Sequence, residues 1–471
     1  MVARRICCFL VALGCAATWA ADPATPGGGA NDPQSLLRWY RSHTVAAYKK
    51  AEYTNELWDK AAIEALELFS RVSADPKEQT RSNQETLRRQ LLSAVDAGCQ
   101  DPLIRYLRLE YAPDEIQPTP DKIIAAWVRV CSQIDKTRYT TAFKFYPNLK
   151  AWKTWNDYHT RDWKHPPPQY NEAMRCYHQA YRYAAKIVKE TNTPIEVISD
   201  VCQEMLEFLK GDQSGGEKTY YDAIKNDLAR NWPQNAHVSL LRGIFNFNDA
   251  WLARGHGSAD SVTAKGWQEF GERLSVAEDA LEKAWRLDPT LKKVPVVMMA
   301  VENGQGQGRE RLELWFRRAM ALDTNSHLAC SVKLFYLMPQ WHGSAKEMIQ
   351  FGRECLASTN WGPDVSWTLV HAHEYLVSYS IQDAELKKNY WKNPAVWADL
   401  KLACEKNLII NPRGTNFARH AYIEQARRCE QWEVVSQQLR LLTSTNYEHF
   451  GGSAAFDLMA RTAAEKAGTA K

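Results

Sequence analysis

The run VENGQGQGRERLELWFRRAM, residues 301–320, sets Gly304, Gly306 and Gly308 at every second position in front of an arginine-rich stretch with helical spacing. Read as a phosphate cradle, it would make the chain a nucleotide enzyme; read as a turn, it makes the chain a stack of helices. A Walker-type loop needs a buried strand before it and Lys-Ser/Thr at its end, whereas here VVMMAV belongs to a helix-sized segment and the glycines run into Arg309-Glu310-Arg311. A dinucleotide fingerprint would also need an acidic residue after a second strand, and no strand pattern follows. The run is therefore read as a tight reversal between two helices, where glycine tolerates positive φ and brings no side chain into the bend. QWHGSAKEM (340–348) repeats the device, with Gly343 in the turn and Ser344 set to cap the next helix.

Outward from that turn the pattern is helical almost everywhere from Gln34. LLRWYRSHTVAAYKK, ELWDKAAIEALELFSRV and NEAMRCYHQAYRYAAKIVK place apolar residues three or four apart, and alternating β-branched runs are nearly absent. Short breaks containing Pro, Gly or Asn separate the segments. Several helices end alike, at Asp288-Pro289, at Asp323 and at Asn411-Pro412. Pairs of small or apolar residues seven apart recur: Ala277/Ala284, Leu312/Ala319, Met348/Cys355, Leu400/Asn407 and Val435/Leu442. The second members are 35, 36, 52 and 35 residues apart, so three of four steps share one period and the long step carries an insertion of about 17 residues between 356 and 398.

A period near 34 with such helix ends resembles the tetratricopeptide repeat. The expected fold is all-α, a solenoid of helical hairpins, because residues seven apart share one helix face and modest side chains there admit a close neighbour. AWLARGHGSADSVTAKGWQEF (250–270), GQGQGRERLELWFRRAM (304–320) and KLFYLMPQWHGS (333–344) also resemble an uncharacterised domain family of exported bacterial proteins, over roughly 220–360. That resemblance implies fold and export and transfers no activity.

The expected organisation begins with a secretory signal over 1–20, since MVARRICCFLVALGCAATWA has two arginines, an apolar run and small residues at its end. A flexible linker, 21–33, follows, then an N-terminal helical region, 34–145. The aromatic, basic, proline-broken stretch 146–168 is read as a non-helical hinge or an exposed contact surface. Residues 169–471 form the repeat region, with insertions near 254–268 and 356–398. No later stretch reaches the roughly 18 apolar residues of a spanning helix. The mature chain is thus expected to be soluble and periplasmic or extracellular. Its charge is nearly balanced: 59 Lys+Arg against 55 Asp+Glu, and 57 against 55 once Arg4 and Arg5 leave. No nucleic-acid partner is expected from that balance.

Chemistry-bearing clusters are few. His371-Ala372-His373-Glu374 invites a metal reading, but two histidines two apart on a helix point about 200° apart and cannot clamp one ion, so one buried and one exposed imidazole is expected. The 11 cysteines less Cys7, Cys8 and Cys15 leave eight, with no close C-x-x-C pair. Hairpin arithmetic puts Cys330 and Cys355 within about 5 Å of axial register, which makes them the disulfide candidate, while Cys404 and Cys429 miss by about 12 Å. Seventeen tryptophans remain after Trp19; Trp251, Trp285, Trp315 and Trp397 share faces with the repeat's apolar positions and are expected to fill gaps between helices. No nucleophile elbow or triad order stands out, so no enzymatic activity, cofactor or metal is expected.

The leading reading is an exported, non-catalytic adaptor or assembly factor that takes a protein or peptide segment into the groove of its solenoid. The tetratricopeptide resemblance implies that the first helix of each repeat lines this groove. Its register, carried back from Cys355 and Leu442, places Lys333 and Gln340, and His420, Glu424 and Arg427, there. The alternatives are a secreted hydrolase in which His371 and His373 meet His256, or glycan or cell-wall binding through exposed tryptophans.

Overall fold

The computed structural model describes residues 33–468 apart from 52, 113–119, 160–168, 212–213, 256, 411–414 and 446. The signal and nearly all of the linker read from the sequence lie outside the described residues. Among those described, every regular element is helical and no strand is present. They divide into two compact units, one ending at Val297 and the other beginning at Met298.

The first unit holds α1 (Pro33–His43), the single turn α2 (Val45–Tyr48), α3 (Asp59–Ala74), α4 (Arg81–Asp96), α5 (Pro102–Tyr111), α6 (Pro120–Ile134), α7 (Thr141–His159), α8 (Tyr170–Ile187), α9 (Ile195–Leu209), α10 (Gly216–Asn231), α11 (Ala236–Arg254) and α12 (Ala264–Leu287). The division falls inside α13 (Lys293–Gln305). The second unit continues with α14 (Arg309–Leu322), α15 (His327–Tyr336), α16 (Ala345–Ala357), α17 (Thr368–Tyr375), α18 (Ala384–Trp391), α19 (Pro394–Ile410), α20 (Thr415–Arg428), α21 (Trp432–Leu439) and α22 (Ser453–Gly468).

Helices pack on their neighbours in sequence and repeatedly on the helix two along: α6 on α8, α7 on α9 and α9 on α11 in the first unit, and α15 on α17 and α17 on α19 in the second. The residues seven apart make this possible. Ala277, Ala284, Leu312, Ala319, Met348, Cys355, Leu400, Asn407 and Val435 are all buried, and Leu442 is half-buried. The most extensive pairing, α11 on α12, depends on a missing side chain: a Cβ on Gly243 would stand 2.5 Å from Leu281 Cγ.

The helix ends show why the sequence punctuates as it does. Asp288 and Asp323 each close a helix and turn a carboxylate oxygen back to the backbone N–H two residues on, at 2.9 Å in both cases. The Ser344 hydroxyl accepts from Glu347 N and donates to the Glu347 carboxylate, reinforcing the start of α16. In the glycine run, Gly304 belongs to the last turn of α13, while Gly306 (φ 65°) and Gly308 (φ 114°) make the reversal.

One expectation needs correction. Residues 146–159 are not a hinge; they are the body of α7, with Pro147 inside it. Phe143, Phe145, Leu149, Ala151, Trp152 and Trp155 are all buried, because α7 meets α6, α8 and α9 on different sides. A helix covered all round shows no one-sided stripe, so its period is lost. Trp152 and Trp155 stack at 5.1 Å in a cluster with Ile124 and Ala173, so they are core and not contact surface. Residues 160–168 lie outside the described chain. In the segment read as an insertion near 254–268, α12 begins at Ala264 behind its cap Thr263. In the segment read as the longer insertion, α18 buries no residue fully.

Replacing Gly306 with Ala forces a Cβ into a left-handed turn 3.2 Å from His342 Cε1. We expect it to cost about 1 kcal/mol or more by denaturant melting, with no ATP-dependent rise in stability in either form. An ATP-stabilised wild type whose response vanishes in the variant would restore the phosphate-loop reading.

Candidate functional site

Helix α17 is the centre of a connected polar face in the second unit. Its residues His371 and Glu374 are three apart and share one side. His371 Nδ1 meets His327 Nε2 on α15 at 3.1 Å. Glu374 accepts from Arg428 at 2.7 Å and from Gln425 at 3.0 Å, both on α20. Ser380, in the π-helical turn that follows α17, donates to Gln340 beyond α15 at 3.3 Å. One short helix thus ties α15 to α20 through side chains alone. The row stays partly open to water: Gln340 is exposed, and the Glu374, Arg427 and Arg428 side chains keep 28%, 44% and 32% of their surface.

The residues selected by the repeat register fare differently. Gln340, Glu424 and Arg427 do lie on or beside this row. Glu424 receives Arg427 at 2.7 and 2.9 Å and Arg428 at 3.0 Å; burial works to raise its carboxyl, but the two guanidinium groups outweigh it and hold the carboxyl below its usual range. Lys333 and His420 correct the expectation. Lys333 is only 7% exposed, bonded to Glu313 at 2.8 Å and held over the rings of Phe316 (4.2 Å) and Phe351 (4.5 Å). It is an interior ion pair joining α14, α15 and α16, because two aromatic rings and a carboxylate offer the ammonium more than the surface does. His420 is buried too, bonded to the Asn416 carbonyl at 2.6 Å and packed on His449 and Phe450.

The two histidines of the HAHE run diverge as helix geometry requires. His373 is buried, 2.7 Å from the Tyr390 hydroxyl and 3.3 Å from Asp399, which Arg353 clasps with two nitrogens. His371 is half-buried rather than exposed, because His327 covers it. Among the described residues no group of three or more His, Cys, Asp or Glu is placed to hold a metal, and His256 lies outside them. Cys330 and Cys355 are both buried free thiols, on α15 and α16. Of the tryptophans, Trp315 is buried, Trp251, Trp285 and Trp397 are half-buried, and among the described residues only Trp267 is exposed, with Arg254 lying over its ring.

Sequence reasoning missed Glu374, Gln425, Arg428 and the His327–His371 pair. The i, i+3 spacing of His371 and Glu374 was visible, but their partners lie 44 to 54 residues away. No family model matches the chain, and no curated protein matches it either. The resemblances drawn above rest on the residues quoted for them.

Because Lys333 is interior, Lys333→Ala should cost about 2 kcal/mol in chemical denaturation, through lost ring contacts and a Glu313 carboxylate left with Arg309 alone. A change under about 0.5 kcal/mol would return Lys333 to the solvated surface.

The histidine pair gives a pH test. Desolvation lowers both imidazoles to about 4; for His327 the neighbouring His371 lowers it further and Asp364 raises it. Since the folded value lies below the 6.5 of an unfolded histidine, the pair's stabilising contribution is complete above pH 6.5 and is lost as pH falls toward 4. His371→Gln should flatten this acid limb by about 1.4 kcal/mol per pH unit for each proton no longer taken up on unfolding. Superimposable pH–stability curves for the two proteins would contradict the buried neutral pair.

Proposed function

We propose that the chain is an exported, non-catalytic protein of tetratricopeptide-like hairpins that binds a peptide or protein segment and serves an adaptor or assembly role. The single observation that carries the reading is the polar row over α15, α17 and α20, whose members are fixed by mutual hydrogen bonds yet remain open to water. Side chains held in place lose little freedom on binding, so a row of this kind favours a ligand that runs across several helices. Gln340 offers amide donors and acceptors to an extended backbone, and Arg427 and Glu374 offer one charge of each sign. The buried residues seven apart and the packing of helices on those two along support the hairpin array. The arginine-led apolar start supports export, and no helix of the described residues is long and apolar enough to cross a membrane. Export would carry the buried Cys330 and Cys355 to a compartment where a disulfide between them can form.

The test uses residues of this row that the interior does not need. Gln340→Ala with Arg427→Ala leaves Glu424 still paired with Arg428 and should alter stability by under about 0.5 kcal/mol at each position. In affinity capture from the exported fraction, a prey retained by the wild type should fall at least several-fold with the double variant. Equal recovery of the same prey would remove this face from the account.

A further inference from the structure

In the first unit a cavity of about 340 Å³ opens where the end of α1, the entry to α7 and the turn from α8 into α9 meet. Trp39 and His43 belong to α1, Thr140 stands one residue before α7, and residues 189–193 run between α8 and α9. Thr193 is only 7% exposed, yet its hydroxyl has no hydrogen-bond partner among the described residues. The same holds for the side chains of the exposed Lys189 and Asn192, and Thr140 Oγ1 is buried in the wall with no partner either. Glu190 accepts from the Thr141 hydroxyl through Oε1, at 2.5 Å, and leaves Oε2 without a hydrogen bond. His43 is held in one tautomer. Its Nδ1 lies 2.7 Å from the Trp39 carbonyl oxygen, which can only accept, so Nδ1 carries the proton and the neutral ring keeps Nε2 as an acceptor with no partner. The Trp39 ring, stacked on Phe143 at 5.9 Å, is the aromatic part of the wall.

We infer that this cavity is a binding site for one neutral sugar ring. Its volume stands at the small end of ligand pockets, which run from roughly 300 to 1,000 Å³, and so suits a ligand of a single ring. The lining carries one charge of each sign, Lys189 and Glu190, so it holds no net charge to select an ion. An inorganic anion would find Lys189 and Thr193 but would face Glu190 Oε2 and the lone pair of His43 Nε2; a cation would face Lys189. A hydroxyl meets both kinds of group, because it donates and accepts. Neighbouring ring hydroxyls can donate to Glu190 and His43 while they accept from Lys189, Asn192 and Thr193. A buried hydroxyl left unpaired is costly, so the sugar recovers at Thr193 what the free protein forgoes. The carbon edge of the ring, which needs no hydrogen bond, has Trp39 to rest against. The site lies in a different unit from the polar row and does not depend on the partner proposed for that row.

The experiment titrates the full chain by calorimetry with glucose, galactose, mannose and N-acetylglucosamine, and separately with inorganic phosphate. We expect at least one of the four sugars to bind with a dissociation constant of roughly 0.1–10 mM, the range open to a ligand of about 12 to 15 non-hydrogen atoms, and phosphate to bind more weakly than that sugar. Thr193→Val keeps the shape of the side chain and removes a hydroxyl that no protein group uses, so it should weaken the sugar at least about threefold without lowering the melting temperature. Asn192→Ala, at an exposed position, should weaken it in the same direction with the fold equally intact. Undiminished sugar binding in both variants would put the sugar elsewhere and overturn the site. Binding of none of the four sugars, or of phosphate in preference to all of them, would overturn the ligand assigned to it. With free sugars as probes and both variants in the first unit, the result stands apart from capture of any partner.

Discussion

Each helix carries an apolar stripe that water disfavours and that the helix alone cannot cover, so it must be laid against the helices before and after it. Close approach is the condition for that burial. Ala277 and Ala284 on α12 are fully covered, Gly243 on α11 gives room for Leu281, and on α16 a Cβ at Gly352 would fall 2.7 Å from the Leu369 backbone. Because one helix offers contact on more than one side, the helix two along is drawn in as well, and α9 on α11 and α15 on α17 follow from the same demand. The turns serve it: Gly306 and Gly308 reverse the chain, and Asp288 and Asp323 end helices with the same carboxylate-to-backbone bond.

Polar groups caught inside this packing are tied down. Asp101 caps α5 through Leu103 N and Ile104 N and also accepts from Tyr139, while burial pushes its carboxyl up to about 6. Glu217, bonded to Asn248, is pushed up by burial to about 7. Such carboxyls favour the protonated folded form, so their contribution is greatest at low pH and is lost as pH rises through those values, the opposite sense to the His327–His371 pair. Lys333 shows the same economy of partners with its charge intact, between two phenylalanine rings and Glu313.

What remains for function is the polar side chains that the interior does not consume. On α15, α17 and α20 they form a row with its members fixed by one another, and the proposed recognition of an extended segment rests on that row.

The helical class, the stripe of residues seven apart, the glycine reversal and the Ser344 cap were all legible in the sequence, because each is a local property: a period, a left-handed φ, a hydroxyl three residues from an N–H. The helicity of α7 was not, since a segment covered on several sides shows no period. Nor was the interior place of Lys333, because a lysine reads as solvated until two rings and a carboxylate from other helices surround it. The partners of His371 and Glu374 were hidden for the same reason. They stand 44 and 51 to 54 residues away in the chain, and which of many equally distant side chains meets them is decided only when the helices pack on one another.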